Sequence, residues 1–340
     1  MANSWRKLLV IRFSSIGDII QTTSVLNTIK KYYPDCRIDY LTLKKYKPLL
    51  LNHSSIDHLY SIAAAASIKS IKDLIEKKEY QIIVDLHNSL RSKLIRKNVR
   101  KIESYCVSKP RKNRFSLFLN HQNNFNKDFN QKNWLHEPIT KILPGHYEPS
   151  QISLNVIKKE KKDAITLLNK NGMKNNKYFT LIPGAAWKQK QWPVEKYIEL
   201  IKLCVKKYDL TPVLLGAQED EVCKEIFLGS PSITIDLSGK TNLRQAIAVL
   251  SGSILSVGSD TGFTYASEAL DIPTVAILGP TSFETGAGVL SKKSINVQKN
   301  DIWCRPCSQN GSFPCYRKTQ YCMEKINTKD VLLNVDKLLA

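Results

Sequence analysis

The sequence predicts an α/β protein built from two doubly wound, parallel-sheet domains. Short apolar strand patterns alternate with amphipathic helical patterns along most of the chain, which is typical of parallel β–α–β units. The alternation breaks once, at about residues 109–148, and then restarts. The 340 residues also exceed the roughly 250–300 that one hydrophobic core ordinarily holds, so two domains are expected.

The first half contains three predicted strands and two predicted helices in alternating order. The opening strand is an almost uninterrupted apolar run, and the helix after it repeats apolar residues until Pro34 ends it. In chain order, these elements are strand 7–13, helix 19–33, strand 37–43, helix 67–78 and strand 81–86.

The second half repeats the alternation after a stretch that is predicted to be partly helical or loop. Helix 156–171 leads into it. The predicted strands are 178–183, 211–215, 233–237, 254–257 and 274–278, and the predicted helices are 192–208, 219–227, 242–250, 263–270 and 328–339. We therefore expect an N-terminal domain over 1–160, a C-terminal domain over 161–325 and a final helix within 326–340. Packing of that helix back on the N-terminal domain is left open.

The chain is strongly basic, with a formal net charge of +21. The densest basic run lies between Arg91 and Arg114 and is opposed only by Glu103. Its members are Arg91, Lys93, Arg96, Lys97, Arg100, Lys101, Lys109, Arg111, Lys112 and Arg114. Such a run attracts phosphates, nucleic acid or an anionic membrane surface. A solvated basic surface is the better explanation for scattered lysines, whereas a specific anionic partner is favoured for this run. No helix-turn-helix, RRM or zinc-finger pattern is found, which disfavours nucleic acid as a partner.

The sequence predicts a cytoplasmic protein. No apolar run approaches the roughly 18–20 residues that a membrane span needs. The first residues also lack the apolar region and the small-residue cleavage site of a secretion signal.

Four of the eight cysteines cluster near the C-terminus, at Cys304, Cys307, Cys315 and Cys322. The first two have the C-x2-C spacing of a zinc site, whereas the second two are more widely spaced than a zinc ribbon requires. A metal at these cysteines is left open but not favoured, and disulfides would be unusual in a reducing compartment.

Polar and small residues collect in four loops at predicted strand ends, namely 14–18, 183–193, 216–221 and 259–264. In the first loop, Asp18 stands where a helix begins. On position alone, a carboxylate stabilised by the helix dipole, by about 0.3–1 kcal/mol, is favoured over a general base.

The other three loops suggest a phosphate-bearing ligand. Lys188 and Lys190 lie close to a helix start, where cations and unpaired backbone amides suit phosphate. Glu219 and Asp220 either contact ribose hydroxyls or cap the next helix, and capping is the plainer explanation. The small residues of 259–264 let the backbone approach an anion at a helix N-terminus. Walker A, G-x-G-x-x-G and Asp-x-Asp patterns are all missing, so the expected phosphate chemistry is metal-free.

Taken together and in this order, the loops resemble those of glycosyltransferase family 9, the heptosyltransferases of lipopolysaccharide core synthesis, over nearly the whole chain. The matching segments are Arg12 to Thr22, Pro183-Gly-Ala, Lys190-Gln-Trp-Pro193, Ser259-Asp-Thr-Gly262, Ala269-Leu270, Pro273, Leu278-Gly-Pro280 and the late cysteine cluster.

The resemblance implies a GT-B fold, in which two Rossmann-like, doubly wound parallel-sheet domains face a central cleft. The N-terminal domain would bind the acceptor, which is the Kdo or heptose inner core of lipid A–core. The C-terminal domain would bind the ADP-sugar donor, ADP-L-glycero-β-D-manno-heptose. Transfer would invert the anomeric centre without a cofactor or divalent metal. The enzyme would associate peripherally with the anionic cytoplasmic surface of the inner membrane.

The resemblance also implies roles for individual residues. Asp18 matches the general base, and Lys190 matches a lysine that neutralises the leaving diphosphate. The expected donor-binding residues are Gly184, Lys188, Glu219, Asp220, Asp260, Thr261 and Gly262. The expected acceptor-binding residues are Ser15, Gly17, Arg91, Lys93 and Arg96.

Three positions depart from the family pattern. Tyr265 stands where family members often have histidine, and Ala185 and Ala186 stand where some have hydroxyl residues. The alternative function is therefore another GT-B sugar transferase of cell-surface polysaccharide synthesis, using a different nucleotide sugar.

Overall fold

The computed structural model describes residues 7–99, 101–143 and 145–340, so Arg100 of the basic run lies outside the described residues. The chain divides into two compact units. Unit 1 comprises Met1–Pro110 and Asn130–Asn155, and unit 2 comprises Arg111–Phe129 and Val156–Ala340. The segment 111–129 therefore belongs to unit 2, although it precedes the last segment of unit 1 in the chain.

Unit 1 is a parallel sheet with helices in its crossovers. Its elements are β1 (Lys7–Ile11), α1 (Ile16–Tyr32), β2 (Arg37–Leu43), a 3-10 helix (Lys44–Leu50), β3 (His58–Ile62), α2 (Ile68–Glu76), β4 (Ile82–Asp85), α3 (Leu90–Asn98), β5 (Glu103–Cys106), α5 (Gln131–His136) and a second 3-10 helix (Glu137–Lys141). The five strands are ordered β3-β2-β1-β4-β5, and each neighbouring pair is parallel.

The central strand β1 is buried on both faces, which explains its continuous apolar sequence. Val10 pairs with Tyr40 of β2 on one side and with Val84 of β4 on the other. The chain proceeds in opposite directions across the sheet from β1, so the loops after β1 and β4 flank the topological switch point. Ligands of doubly wound sheets bind at such a point.

Unit 2 contains a larger parallel sheet. Its elements are α4 (Arg111–Asn120), α6 (Lys158–Lys170), β6 (Tyr178–Ile182), a 3-10 turn (Lys188–Lys190), α7 (Val194–Tyr208), β7 (Thr211–Leu214), α8 (Glu221–Gly229), β8 (Ile235–Asp236), α9 (Leu243–Leu250), β9 (Leu255–Ser259), α10 (Gly262–Ala269), β10 (Thr274–Ile277), a 3-10 turn (Phe283–Thr285), β11 (Ser294–Val297), α11 (Tyr321–Glu324) and α12 (Thr328–Leu339). The six strands are ordered β11-β10-β9-β6-β7-β8, which puts the switch point between β6 and β9.

The final helix α12 belongs to unit 2. Val331 and Val335 are fully buried in a core cluster that includes residues of β6, α7 and β10. Lys299 also donates to Asp330 at 2.8 Å. The helix packs here because its apolar stripe completes the core of this sheet.

The segment 111–129 joins unit 2 through polar and ring contacts. Arg114 donates to the Glu284 carbonyl at 3.3 Å, and Asn123 donates to the Glu284 carboxylate at 2.7 Å. The ring of His121 packs edge-on against Trp303. Among the described residues, none of the helices combines the length and apolar character required to cross a bilayer.

Two buried histidines make hydrogen bonds inside unit 1, one with the segment near Ser153 and the other with α1. His53 accepts a hydrogen bond from the Ser55 amide at 3.2 Å and lies 3.1 Å from the Ser153 hydroxyl. His136 lies 2.9 Å from the Thr28 hydroxyl of α1. Burial lowers the pKa of both imidazoles from 6.5 to about 4.

We predict that acid destabilises the protein through its buried imidazoles. Between pH 6.5 and about 4, the unfolded chain binds protons at His53 and His136 that the folded protein excludes. The free energy of unfolding should therefore be fully retained above pH 6.5 and fall on acidification, by up to about 3 kcal/mol per histidine. Urea unfolding across this range measures the slope. His136→Gln should make the slope shallower, and an unchanged slope in that variant would contradict the assignment.

Candidate functional site

The loops after β6 and β9 meet in a buried ion pair. Lys190 follows β6, Asp260 follows β9, and the two strands are neighbours in the sheet. Lys190 Nζ lies 2.8 Å from Asp260 Oδ2, and the side chains are 14% and 7% exposed. The pair brings together two residues that the sequence assigned to the donor site.

Two hydroxyl groups complete the environment of Asp260. Tyr265 donates to Oδ1 at 2.6 Å, and Thr281 donates to Oδ2 at 3.0 Å. Burial acts to raise the pKa of Asp260, but the Lys190 charge and these hydrogen bonds outweigh it and keep the pKa below 3.8. Tyr265 in turn accepts the Gly288 amide at 3.1 Å, so the residue that departs from the family pattern orients the central carboxylate.

The helix α10 begins directly beside this ion pair. Thr261 is its N-cap, and Gly262 is its first residue. The first amides of a helix have no intrahelical partner and attract anions. Within the described part of the chain, the buried Thr261 hydroxyl oxygen also has no hydrogen-bond partner. Amides, a hydroxyl and a lysine are therefore combined as an anion site requires.

The cysteine-bearing segment 304–322 holds Lys190 in place. Gly311 adopts a φ of +84°, and a Cβ built on it would lie 2.6 Å from Lys190 Cγ. Gln320 donates to the Gln189 carbonyl at 2.5 Å. The lysine stem is thus enclosed by a loop more than a hundred residues away in sequence.

Arg305 attaches the same segment to the loop after β10. It donates to the carbonyls of Gly279 at 2.5 Å and Thr281 at 2.7 Å, and Thr281 is a partner of Asp260. The four thiols of Cys304, Cys307, Cys315 and Cys322 line one small cavity beside it. Burial raises the pKa of Cys307 to about 11, which favours the thiol form. No group of three or more His, Cys, Asp or Glu side chains in the described ranges is placed to hold a metal ion.

The remaining donor candidates of unit 2 lie in neighbouring loops. Asp220 accepts the Ala217 amide at 2.7 Å, and its carboxylate packs so closely that a Cβ on Gly184 would lie 2.2 Å from Oδ2. Burial raises the pKa of Asp220. Glu219 and Lys188 are exposed. The Asp220 carboxylate thus accepts a hydrogen bond within its own turn, and it can pack against Gly184 because that residue has no side chain.

In unit 1, Asp18 lies in the first turn of α1, at the switch point. Its Oδ2 accepts the Ser15 amide at 3.1 Å and the Ser15 hydroxyl at 2.7 Å, and it lies 2.9 Å from Arg12 Nη2. These contacts all engage Oδ2, and the side chain is 35% exposed. Burial acts to raise the pKa of Asp18, but Arg12 and Ser15 outweigh it and lower the pKa below 3.8. Gly17 is buried beside it in the same turn.

Arg12 is a further charged residue beside Asp18, and its role was not predicted from the sequence. It is nearly buried and connects three elements, because it contacts Asp18 and donates to the carbonyls of Ser14 at 2.7 Å and Leu86 at 2.5 Å. His87 packs edge-on against Phe13, next to this arginine. Burial lowers the pKa of His87 to about 4, with Arg12 as a further cause. The sequence signals for Arg12 are its place at the end of a buried strand and at the start of the first segment that resembles the family.

The acceptor candidates on α3 have different surroundings. Arg91 donates to the carbonyls of Ala64 at 2.8 Å and Ala66 at 2.6 Å. Arg96 donates to the buried Asp85 carboxylate at 2.9 Å. Lys93 is exposed. Arg91 therefore holds the segment after β3 and Arg96 pairs with a carboxylate of β4, and both are partly buried, whereas Lys93 is exposed.

Two parallel α/β units, each with polar groups at its switch point, fit the GT-B fold of glycosyltransferases. The family model described as glycosyltransferase family 9 (heptosyltransferase) matches residues 68–316. The chain belongs to this family and is a glycosyltransferase.

Relatives and solved structures agree with this assignment. Lipopolysaccharide heptosyltransferase 1 of Campylobacter coli is 27% identical over 98% of this chain and 99% of that protein. A family 9 glycosyl transferase from Veillonella parvula superposes with a TM-score of 0.80 at 16% identity, covering 100% of this chain and 98% of the other. The E. coli ADP-heptose LPS heptosyltransferase II superposes with a TM-score of 0.73 at 23% identity, covering 98% of each chain. These structural likenesses confirm the predicted GT-B fold.

We predict that Gly311→Ala impairs the enzyme through Lys190. The new methyl group would collide with the lysine stem at 2.6 Å, so Lys190 has to move. The donor KM should rise, and kcat should fall by about tenfold, since a displaced charge loses most of its effect on a leaving group. Steady-state kinetics at varied donor concentration measure both.

Gly172→Ala is the matched control. Gly172 also has a positive φ, +94°, but nothing lies within 4 Å of its Cβ position. Both variants carry the same type of backbone strain, about 1 kcal/mol. Equal kinetic losses in the two would contradict a specific effect on Lys190.

Proposed function

We propose that this protein transfers heptose from ADP-L-glycero-β-D-manno-heptose to the Kdo or heptose inner core of lipopolysaccharide, with inversion at the anomeric carbon. The family assignment supports the transfer of heptose. The names of the relatives, such as lipopolysaccharide heptosyltransferase 1, support the acceptor class. The observation that carries the proposal is the Lys190–Asp260 pair at the N-terminus of α10, because it combines the groups that a leaving diphosphate needs.

In this proposal, unit 2 binds the donor. The diphosphate lies at the first amides of α10, near Thr261 and Gly262, and Lys190 neutralises its charge. As the bond between the anomeric carbon and the diphosphate oxygen breaks, negative charge accumulates on the departing ADP. Donors that are already oriented toward that charge lower the barrier without rearrangement. Amides and lysine suffice for this role, so we propose a reaction without a divalent metal or other cofactor.

Unit 1 binds the acceptor and supplies the base. Ser15 and Arg12 hold Oδ2 of Asp18, so Oδ1 is the oxygen that receives the proton of the acceptor hydroxyl. The hydroxyl oxygen bonds to the anomeric carbon on the face opposite the leaving ADP, which inverts the configuration. The depressed pKa keeps Asp18 ionised at neutral pH, as a base must be.

We place the reaction at the cytoplasmic face of the inner membrane, with the enzyme bound peripherally. The acceptor is attached to lipid A, which carries phosphates, and the chain has a net charge of +21. Exposed lysine and arginine near an anionic surface contribute about 1 kcal/mol each to binding.

The second candidate is another GT-B sugar transferase of cell-surface polysaccharide synthesis that uses a different nucleotide sugar. Tyr265, Ala185 and Ala186 favour it, since they alter the residues around the expected sugar and phosphate contacts. The deciding experiment incubates purified protein with ADP-heptose, ADP-glucose and UDP-hexoses, together with truncated core acceptors. Mass spectrometry detects the product, and NMR assigns its anomeric configuration. Transfer only from a hexose donor would replace the first proposal with the second.

Asp18→Asn should lower kcat by about 10²–10⁴-fold, because the amide cannot take the hydroxyl proton. ADP affinity, measured by calorimetry, should be unchanged. Asp73→Asn, an exposed carboxylate on α2, is the matched control and should retain full activity. A variant at Asp18 that retains near-normal kcat would remove this residue from the mechanism.

Lys190→Met should weaken donor binding and lower kcat, together reducing kcat/KM by about 10²–10³-fold. It should also destabilise the fold by about 3–5 kcal/mol, because the Asp260 charge stays buried without its cation. The double variant Lys190→Met, Asp260→Asn separates the two effects. Its stability should recover in thermal unfolding while its activity stays low. Recovery of activity along with stability would show that the lysine acts only structurally.

A further inference from the structure

The helix α4 exposes large apolar side chains in a strongly basic setting. Phe115 is 65% exposed and Leu119 is 62% exposed, whereas Leu117 is 4% exposed and anchors the helix from the other side. Residues four apart lie on the same face of a helix, so Arg111, Phe115 and Leu119 form one row. Arg111 and its neighbour Lys112 are also exposed.

Aromatic side chains of unit 2 extend this exposed surface beyond the end of α4. His121, next to the helix, packs against Trp303 with ring centroids 5.1 Å apart. Trp303 is 62% exposed, and Arg317 lies over its ring at 5.0 Å. We call the side chains of Arg111, Lys112, Phe115, Leu119 and Trp303 the α4 surface.

We propose that the α4 surface docks on an anionic phospholipid bilayer. Phenylalanine and leucine would insert below the headgroups, tryptophan would lie at the headgroup level, and the basic side chains would contact the lipid phosphates. The inference rests on the proposed function, since a lipid-anchored acceptor is presented at a membrane.

The positive charge around α4 favours an anionic bilayer over a second copy of the chain as the partner. The sequence has no aspartate or glutamate between Glu103 and Asp128. The Glu284 carboxylate, which contacts Asn123 of this segment, also accepts the Ser282 hydroxyl. A second copy of the chain, itself at +21, would be repelled, whereas an anionic bilayer offers complementary charge together with an apolar layer. Apolar insertion and basic contacts are the two signals that peripheral membrane binding generally combines.

The test is sedimentation of the full-length protein with vesicles. One set contains phosphatidylglycerol mixed with phosphatidylethanolamine, and the other contains phosphatidylcholine alone. The wild type should bind the first set and not the second. Phe115→Ser with Leu119→Ser should weaken binding at least about tenfold, and Arg111→Glu with Lys112→Glu should weaken it by a similar factor or more. Circular dichroism verifies that each variant is folded.

Leu228→Ser is the matched control, because Leu228 is a 75% exposed leucine on α8 of the same unit. It should bind vesicles like the wild type. The proposal is overturned if the wild type does not bind anionic vesicles or if the Phe115 and Leu119 variant binds them normally. It is also overturned if Leu228→Ser weakens vesicle binding as much as that variant does. Concentration-dependent dimerisation that this variant abolishes would instead identify the surface as an interface between copies.

Heptose transfer to a soluble acceptor tests the proposed function independently of membrane docking. Heptose transfer to a deacylated core oligosaccharide does not require a membrane, so the Phe115 and Leu119 variant should transfer to it at the wild-type rate. Wild-type protein that binds anionic vesicles but transfers no heptose would support membrane docking by the α4 surface and refute the proposed function.

Discussion

The ion pair between Lys190 and Asp260 is the interaction on which the architecture of unit 2 depends. Two charges so little exposed would be unfavourable if either lacked hydrogen bonds. Tyr265 and Thr281 supply those bonds to the carboxylate, and the close approach of Gly311 fixes the lysine stem. Lys190, Tyr265 and Thr281 therefore converge on a single carboxylate, and the segment of Gly311 encloses the lysine. The cysteine-bearing segment has a structural explanation in this convergence, because it encloses the lysine and ties down the loop of Thr281.

Unit 1 uses the same pairing of carboxylate and cation at its own switch point, but with the exposure reversed. In unit 2 the carboxylate is the more buried partner, so the lysine is the group that can meet a ligand. In unit 1 the arginine is buried and Asp18 is 35% exposed, so the carboxylate is the accessible group. A buried counter-ion fixes the charge state and direction of its partner in each case. This difference supports an anion-binding role for unit 2 and a proton-accepting role for unit 1.

The sequence predicts those strands and helices whose apolar residues recur in the pattern that their burial in the fold requires. Strands such as β1, β6 and β10 are continuous apolar runs because they are covered on both faces. The edge strands β3, β5 and β11 and the helix α3 were not predicted, because their mixed polar and apolar sequences reflect partial burial and show no clear period. The helix α4 lies in the stretch that was predicted only as partly helical or loop. Asp18 and Lys190 could be proposed as site residues from the sequence, because they lie in strand-end loops, which are local features, and because those loops resemble the family's. Thr281 and Gly311 join the site through contacts across the chain, which spacing along the sequence does not encode.

The basic run shows how a sequence pattern and its physical role diverge. Arg91 and Arg96 lie in the run, yet their guanidinium groups are engaged by backbone carbonyls and by the buried Asp85. These charges compensate internal groups, whereas Lys93, Arg111 and Lys112 remain exposed. An anionic partner is therefore met by fewer charges than the sequence count indicates, so electrostatic attraction alone gives a weaker contact than the composition suggests. In the proposed contact with a bilayer, the exposed Phe115 and Leu119 add apolar insertion to the attraction of the exposed Arg111 and Lys112 on the same helix.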